Sequence, residues 1–219
     1  MKVILFGATG MVGQGALREC LLDPDVTEVL VAGRGPLGRQ HAKIREIVHK
    51  DLYDLSPIAL QLAGYDACFF CLGVSSAGMN EADYTHVTYD LTLAVAHVLA
   101  QQNPQMAFLY VSGAGTDSTE RGRSMWARVK GRTENELLRE PFRAAYMLRP
   151  GYIQPMHGVK SRTPLYNAIY MGFSWLYPVV KAVAGKYVLT TQDLGHAMIK
   201  IARSGAPKHV LEIADIKAV

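Results

Sequence analysis

The feature that most constrains this chain is Gly7-Ala8-Thr9-Gly10-Met11-Val12-Gly13, which directly follows the apolar run Val3 to Phe6. That run suits a buried parallel strand, and Met11, Val12, Ala16, Leu17, Leu21 and Leu22 then follow helical spacing. A glycine-rich turn therefore joins a strand to a helix. In such a turn glycine admits torsions that a side chain obstructs and lets the main chain approach a pyrophosphate, while the helix N-terminus faces its negative charge. This is dinucleotide-binding chemistry, and the strand-turn-helix context separates it from glycines that share the spacing by chance.

The second strand, Val29 to Gly33, ends in Arg34. A dinucleotide fold that prefers NAD usually carries Asp or Glu here to bind the adenine-side ribose hydroxyls, whereas an arginine matches a 2′-phosphate. Arg34 thus argues for NADP(H), with NAD(H) as second choice; its guanidinium can hold phosphate in a fork, and Arg39 adds charge nearby.

Further along, Ile44 to Val48 reads as a third strand, Leu55 to Leu62 as a short helix, and Ala67 to Leu72 as a central fourth strand delivering Gly73 and Val74 to the carboxyl edge. Ligands bind at that edge in open α/β sheets. A helix is expected over Tyr84 to Gln101, a fifth strand over Ala107 to Val111, a helix over Met125 to Leu138 and a sixth strand over Ala144 to Leu148. Pro164 to Ala184 is apolar and aromatic but broken by Gly172, Pro178 and Lys181, which suits two packed helices better than a membrane span. Thr190-Thr191-Gln192-Asp193 reads as a capped helix start, and Val210 to Ile213 as a last strand.

The expectation is one domain over residues 1–219: α/β, a doubly wound, mostly parallel Rossmann sheet, with 157–186 as a small helical substrate or lid region. A net charge of +4 without a basic helix or interleaved aromatics argues against nucleic acid as a partner. The three cysteines, Cys20, Cys68 and Cys71, suggest no disulfide framework and fit a reducing cytoplasm. Cys68 and Cys71 have CxxC spacing, but inside an apolar strand they read as buried thiols. No metal-ligand spacing stands out.

Taken together, Gly7 to Gly13, Ala32-Gly33-Arg34, Asp51-Leu52, Val87-Thr88-Tyr89-Asp90, Tyr110-Val111-Ser112, Val129-Lys130-Gly131 and Leu148-Arg149-Pro150-Gly151 resemble the atypical short-chain dehydrogenase/reductase superfamily. The likeness is to its small NmrA-like and Tat-interacting-protein-like members, NAD(P)-binding Rossmann proteins. It covers about the first 155 residues, and more loosely the helix from Thr191. The resemblance implies a cofactor site built from Gly7, Thr9, Gly10, Met11, Val12, Gly13 and Arg34. Asp51 and Leu52 would flank the adenine, Gly73 and Val74 the ribose and pyrophosphate path, and Pro150, Gly151 and Tyr152 the nicotinamide. It also implies Ser112 as the serine that hydrogen-bonds a substrate carbonyl and Lys130 as the lysine that holds the nicotinamide ribose. Subunits in this superfamily pair through the helices at 84–101 and 125–138, so a homodimer is one expected arrangement.

The chain departs from the family at one position. Four residues before Lys130 the family's Tyr-x-x-x-Lys pattern has tyrosine, and here stands Trp126, whose indole N–H is far too weak an acid to serve a developing alkoxide. Tyr84, His86, Tyr152 and His157 are the stand-ins for that acid. The expected function is an NADP(H)-dependent oxidoreductase on a small carbonyl-type substrate. Its alternative is a noncatalytic dinucleotide-binding sensor or regulator of the NmrA-like kind, and a nucleotide-sugar epimerase ranks third.

Overall fold

The computed structural model describes residues 1–159 and 188–219. The paired helices expected over 164–184 lie outside the described residues, as does nearly all of the 157–186 region. Strands β1 (Lys2–Phe6), β2 (Glu28–Gly33), β3 (Ile44–Val48), β4 (Ala67–Phe70), β5 (Ala107–Val111), β6 (Ala144–Arg149) and β9 (Val210–Glu212) form one sheet in the order β3-β2-β1-β4-β5-β6-β9. Every neighbouring pair in it is parallel. The order reverses between β1 and β4, so the switch point at which such sheets bind ligands opens above the glycine turn that follows β1.

Alternation along each strand builds two cores. Val3, Leu5, Phe69 and Leu109 face a layer that includes α1 (Met11–Leu22) and α5 (Thr191–Ser204). Ile4, Phe6, Phe70 and Phe108 face the other side, packed with Ile58 and Leu62 of a 3-10 turn (Ser56–Leu62) and Val95 and Leu99 of α3 (Leu91–Gln102). Covering both faces keeps the central strands apolar throughout, and β4 is buried at all four of its positions, Ala67 to Phe70. The fourth strand is shorter than the apolar run predicts: it ends at Phe70, after which the Cys71 N–H bonds the Phe6 carbonyl at 3.0 Å and the chain turns out beside Gly7.

Behind the sheet, α1 and α5 approach closely. A Cβ on Gly15 would lie 2.6 Å from the Thr191 Cβ, and one on Gly195 would lie 2.7 Å from the Glu19 Cγ. Glu19, only 2% exposed, is paired with Arg18 at 2.5 Å and His196 at 2.7 Å. The expected cap at the start of α5 is present: Thr190 Oγ accepts from the Asp193 N–H at 3.0 Å, and the Asp193 carboxylate accepts from the Thr190 N–H at 2.9 Å.

Other elements also differ from the sequence expectation. The single helix expected over Tyr84 to Gln101 is three pieces: α2 (Glu81–Thr85), a π-helical turn (His86–Asp90) and α3. The wider turn aligns residues four apart, so that Tyr84, Thr88 and Thr92 all point inward and are buried. A small parallel ribbon of β7 (Tyr152–Gln154) and β8 (Val188–Thr190) was not anticipated, nor was the short final helix α6 (Ile213–Ala218). The Met125–Leu138 helix is present as α4 (Met125–Leu137). Among the described residues no helix is long and apolar enough to cross a membrane, and no cluster of side chains is arranged to hold a metal ion.

Candidate functional site

The glycine turn needs glycine at two positions for physical reasons the structure makes explicit. Gly7 has φ +82, and a Cβ there would sit 2.7 Å from the backbone of Cys71 and Leu72. A Cβ on Gly13 would sit 2.1 Å from the Gly7 carbonyl oxygen. The turn is closed by the Gly10 N–H on the Gly7 carbonyl at 2.9 Å. Helix α1 starts at Gly10 with no side-chain cap and no acidic residue in its first turn. Its exposed N–H groups and positive dipole end are thus left for an external anion.

Two compartments adjoin this turn. One of about 290 Å³ is lined by Gly7, Thr9, Gly33, Arg34, Leu52 and Leu72 among others. The second, about 330 Å³, shares Arg34, Leu52 and Leu72 and adds Lys50, Asp51, Gly73 and Val74. The structure places Gly7, Thr9, Arg34, Asp51, Leu52, Gly73 and Val74 along these two compartments. Leu52 is buried and supplies an apolar wall, while Asp51 Oδ1 accepts from the Tyr53 N–H at 2.9 Å. A groove with a steric need for glycine, an uncapped helix end and an exposed arginine fits an elongated phosphate-bearing ligand. Past Gly38 (φ +71) Arg39 lines an adjoining compartment with Gln14, Arg18 and His157, which shares Ala8, Thr9 and Leu37 with the first.

Farther along the same edge lie the residues expected to act on a substrate. Helix α4 docks so tightly that a Cβ on Gly131 would fall 1.8 Å from the Asp117 carbonyl, which brings Lys130 under the end of β5. The Lys130 ammonium donates to the Ser112 carbonyl at 2.9 Å and lies 5.5 Å from the centre of the Tyr110 ring. Burial pulls its pKa down to about 8, against the opposing charge of Glu134. The Ser112 hydroxyl faces two protein acceptors, Glu134 Oε1 at 2.5 Å and the Leu148 carbonyl at 3.1 Å. A bond from it to a substrate carbonyl requires it to leave them.

Trp126 is half-buried against the loop after Ser112. Its ring atoms lie 4.0 Å from where a Cβ would stand on Gly113 and 3.6 Å from one on Gly115. The two glycines make the space the indole fills. Pro150 joins the edge through its carbonyl, which accepts from the Ala114 N–H at 2.8 Å, and Gly151 and Tyr152 follow it.

Of the four stand-ins for the acid, Tyr84 is 2% exposed and burial raises its pKa. His86 stacks on Tyr53 at 4.5 Å and contacts Asp90 at 3.2 Å, beside the second compartment rather than beside Ser112. His157 contacts Gln192 at 3.1 Å. Tyr152 is 37% exposed at the edge, its hydroxyl donating to Gln154 at 2.9 Å.

Glu134, and its pairing with the Arg149 of the Leu148–Gly151 stretch, escaped sequence reasoning. Both are buried; the Arg149 Nε lies 3.1 Å from each Glu134 oxygen, and its other nitrogens reach Ser118 at 2.5 Å and Glu212 at 3.1 Å. The pair ties α4 to β6, and through Glu134 it holds Ser112. The spacing of Lys130 and Glu134, one helical turn apart, was the available signal.

No family model matches the chain. Protein FMP52, mitochondrial, of the yeast Meyerozyma guilliermondii is 23% identical over 155 residues, covering 70% of this chain and 65% of that protein. The match thus spans less than two thirds of that relative's length. Among solved structures, the Bordetella bronchiseptica enzyme WbmF in complex with NAD+ superposes with a TM-score of 0.68 at 16% identity, covering 99% of this chain and 76% of that one. The short-chain dehydrogenase/reductase YIR035C of Saccharomyces cerevisiae gives 0.65 at 15%, covering 98% and 96%. A Burkholderia thailandensis oxidoreductase of the short-chain dehydrogenase/reductase family gives 0.65 at 16%, covering 100% and 93%. The chain therefore has the Rossmann fold found in short-chain dehydrogenase/reductase-type proteins.

Proposed function

We propose that this protein binds NADP(H) and is an oxidoreductase on a small carbonyl-type substrate. The observation that carries the reading is the uncapped start of α1 behind a turn that admits only glycine at positions 7 and 13, with Arg34 exposed in the adjoining groove. Gly7 to Gly13 would hold the pyrophosphate, Arg34 the 2′-phosphate, and Leu52, Gly73 and Val74 the adenosine; WbmF, similar in fold, is described in complex with NAD+. When bound, such a cofactor supplies or accepts a hydride.

In this reading Ser112 exchanges its bond to Glu134 for one to the substrate oxygen. Lys130 uses the donors not engaged by the Ser112 carbonyl to fix the nicotinamide ribose. Pro150, Gly151 and Tyr152 border the nicotinamide side. Trp126 closes the site as an apolar wall, and the proton comes from water or a second group.

A noncatalytic sensor is the second reading. Trp126 in place of the phenol, and a Ser112 proton already held by Glu134, favour it. Turnover separates the two. NADPH oxidation with aldehydes, ketones and quinones is expected to be saturable and to fall on Ser112→Ala and on Lys130→Ala; rates indifferent to both changes would rule out this assignment. Tighter binding of NADPH than NADH, reversed by Arg34→Asp, tests the cofactor, and equal affinities would count against the 2′-phosphate.

A further inference from the structure

We infer that Lys50 is the second arm of a clamp, with Arg34, on the 2′-phosphate of the adenine-side ribose, so that selection of NADP(H) is divided between β2 and β3. The inference rests on the NADP(H) reading above and adds a specificity residue to it. Gly33 pairs with Val48 in parallel register, and the His49 N–H bonds the Gly33 carbonyl at 2.9 Å. Arg34 and Lys50 therefore leave neighbouring strand ends at the same edge of the sheet, and both line the 330 Å³ compartment.

Both side chains are exposed, and among the described residues neither is in a salt bridge or a hydrogen bond. Their charge is thus not consumed by the fold. Asp51, the one carboxylate lining the same compartment among the described residues, has Oδ1 occupied by the Tyr53 N–H in its own turn. Arg39, the cation nearest Arg34 in sequence, does not line this compartment and lies instead in the one beside Gln14 and Arg18. A phosphate dianion suits this asymmetric pair: the guanidinium offers a planar fork and the ammonium a mobile point charge. A ribose carrying only a 2′-hydroxyl gives Lys50 nothing to neutralise.

The test is calorimetric titration of the wild type, Lys50→Gln, Arg34→Gln and the double variant. The ligands are adenosine 2′,5′-bisphosphate, 5′-AMP, NADPH and NADH, with circular dichroism confirming that the surface variants stay folded. Lys50→Gln is expected to weaken the bisphosphate and NADPH about tenfold or more and to leave 5′-AMP and NADH unchanged, as suits a hydrogen bond between charged groups. The double variant should bind NADPH no better than NADH.

A Lys50→Gln protein that keeps wild-type affinity for the bisphosphate while Arg34→Gln loses it overturns the clamp and leaves the NADP(H) reading standing. Equal weakening of all four ligands overturns it too, since Lys50 would then act on a part they share. A wild type that does not prefer the 2′-phosphate at all removes the NADP(H) reading, and the clamp with it.

Discussion

Replacing Gly13 by alanine probes the glycine turn most directly. The added methyl would stand 2.1 Å from the Gly7 carbonyl oxygen, 2.6 Å from its carbon and 2.9 Å from the Ala8 Cα. All three are backbone atoms, so no side chain can swing aside; the turn and the first coil of α1 must part by more than an ångström. Overpacking of this kind costs about 1–3 kcal/mol and at times more. The upper end is expected, because Gly7 is itself held against Cys71 and Leu72. Parting the turn also withdraws the α1 N–H groups from the phosphate position, so dinucleotide affinity should fall by at least about tenfold, the equivalent of one lost charge-assisted hydrogen bond.

Two controls grade the effect. Gly10→Ala meets only the Gly7 oxygen at 3.3 Å and should cost about 0.5–1 kcal/mol, whereas Gly35→Ala, with nothing within 4 Å, should be near neutral. Urea unfolding and NADPH fluorescence titration on the three variants supply the comparison. A Gly13→Ala protein as stable as Gly35→Ala would show that the turn relaxes freely and would refute the steric argument.

Other outcomes follow from the same geometry. Glu134→Ala strands the Arg149 guanidinium in the interior and should cost about 3–5 kcal/mol in urea unfolding; Glu134→Gln, which still accepts from Ser112, should cost less. Lys130 has a folded pKa near 8 against an ordinary 10.5, so the unfolded chain binds more protons between those values and stability should rise across that window. Lys130→Met should accordingly be more stable than wild type near pH 7, with the gain shrinking toward pH 10.5; a constant difference across that range would contradict the burial argument. Cys20, pushed by burial to about 12, and Cys68, pushed well above its ordinary range, should resist a thiol reagent at pH 8 in the native protein and react in urea. Rapid native labelling of either would show the core to be open.

The central sheet was readable because strands covered on both faces leave unbroken apolar runs, and Val3 to Phe6, Phe69-Phe70 and Phe108 to Tyr110 carry that mark whatever surrounds them. Arg34 was readable because it sits at a fixed offset from the glycine turn. Arg39 was not, since the positive φ of Gly38 decides its direction and no periodicity encodes that. Lys50 was readable only as one charge of the basic segment Arg34, Arg39, Lys43, Arg45 and Lys50, which could serve a phosphate or be a solvated face; its place beside Arg34 comes from strand pairing between β2 and β3. The Glu134–Arg149 pair joins a helix to a strand, and a single sequence offers no rule for matching two buried charges. The break at His86–Asp90 leaves the apolar stripe nearly intact, so hydrophobic spacing reads through it.

The contact of Gly15 with Thr191 and of Gly195 with Glu19 carries a mechanical meaning. With a glycine of each helix set against a side chain of the other, α1 and α5 have little room to slide, and they act as one stiff beam behind the sheet. One end of that beam carries the phosphate turn. On the α5 side, Thr191 accepts from the Met156 N–H at 3.1 Å and Gln192 meets His157. The segment that leaves β7 is therefore anchored to the same beam as the turn, and the close approach of Gly15 to Thr191 and of Gly195 to Glu19 helps to set the spacing between them.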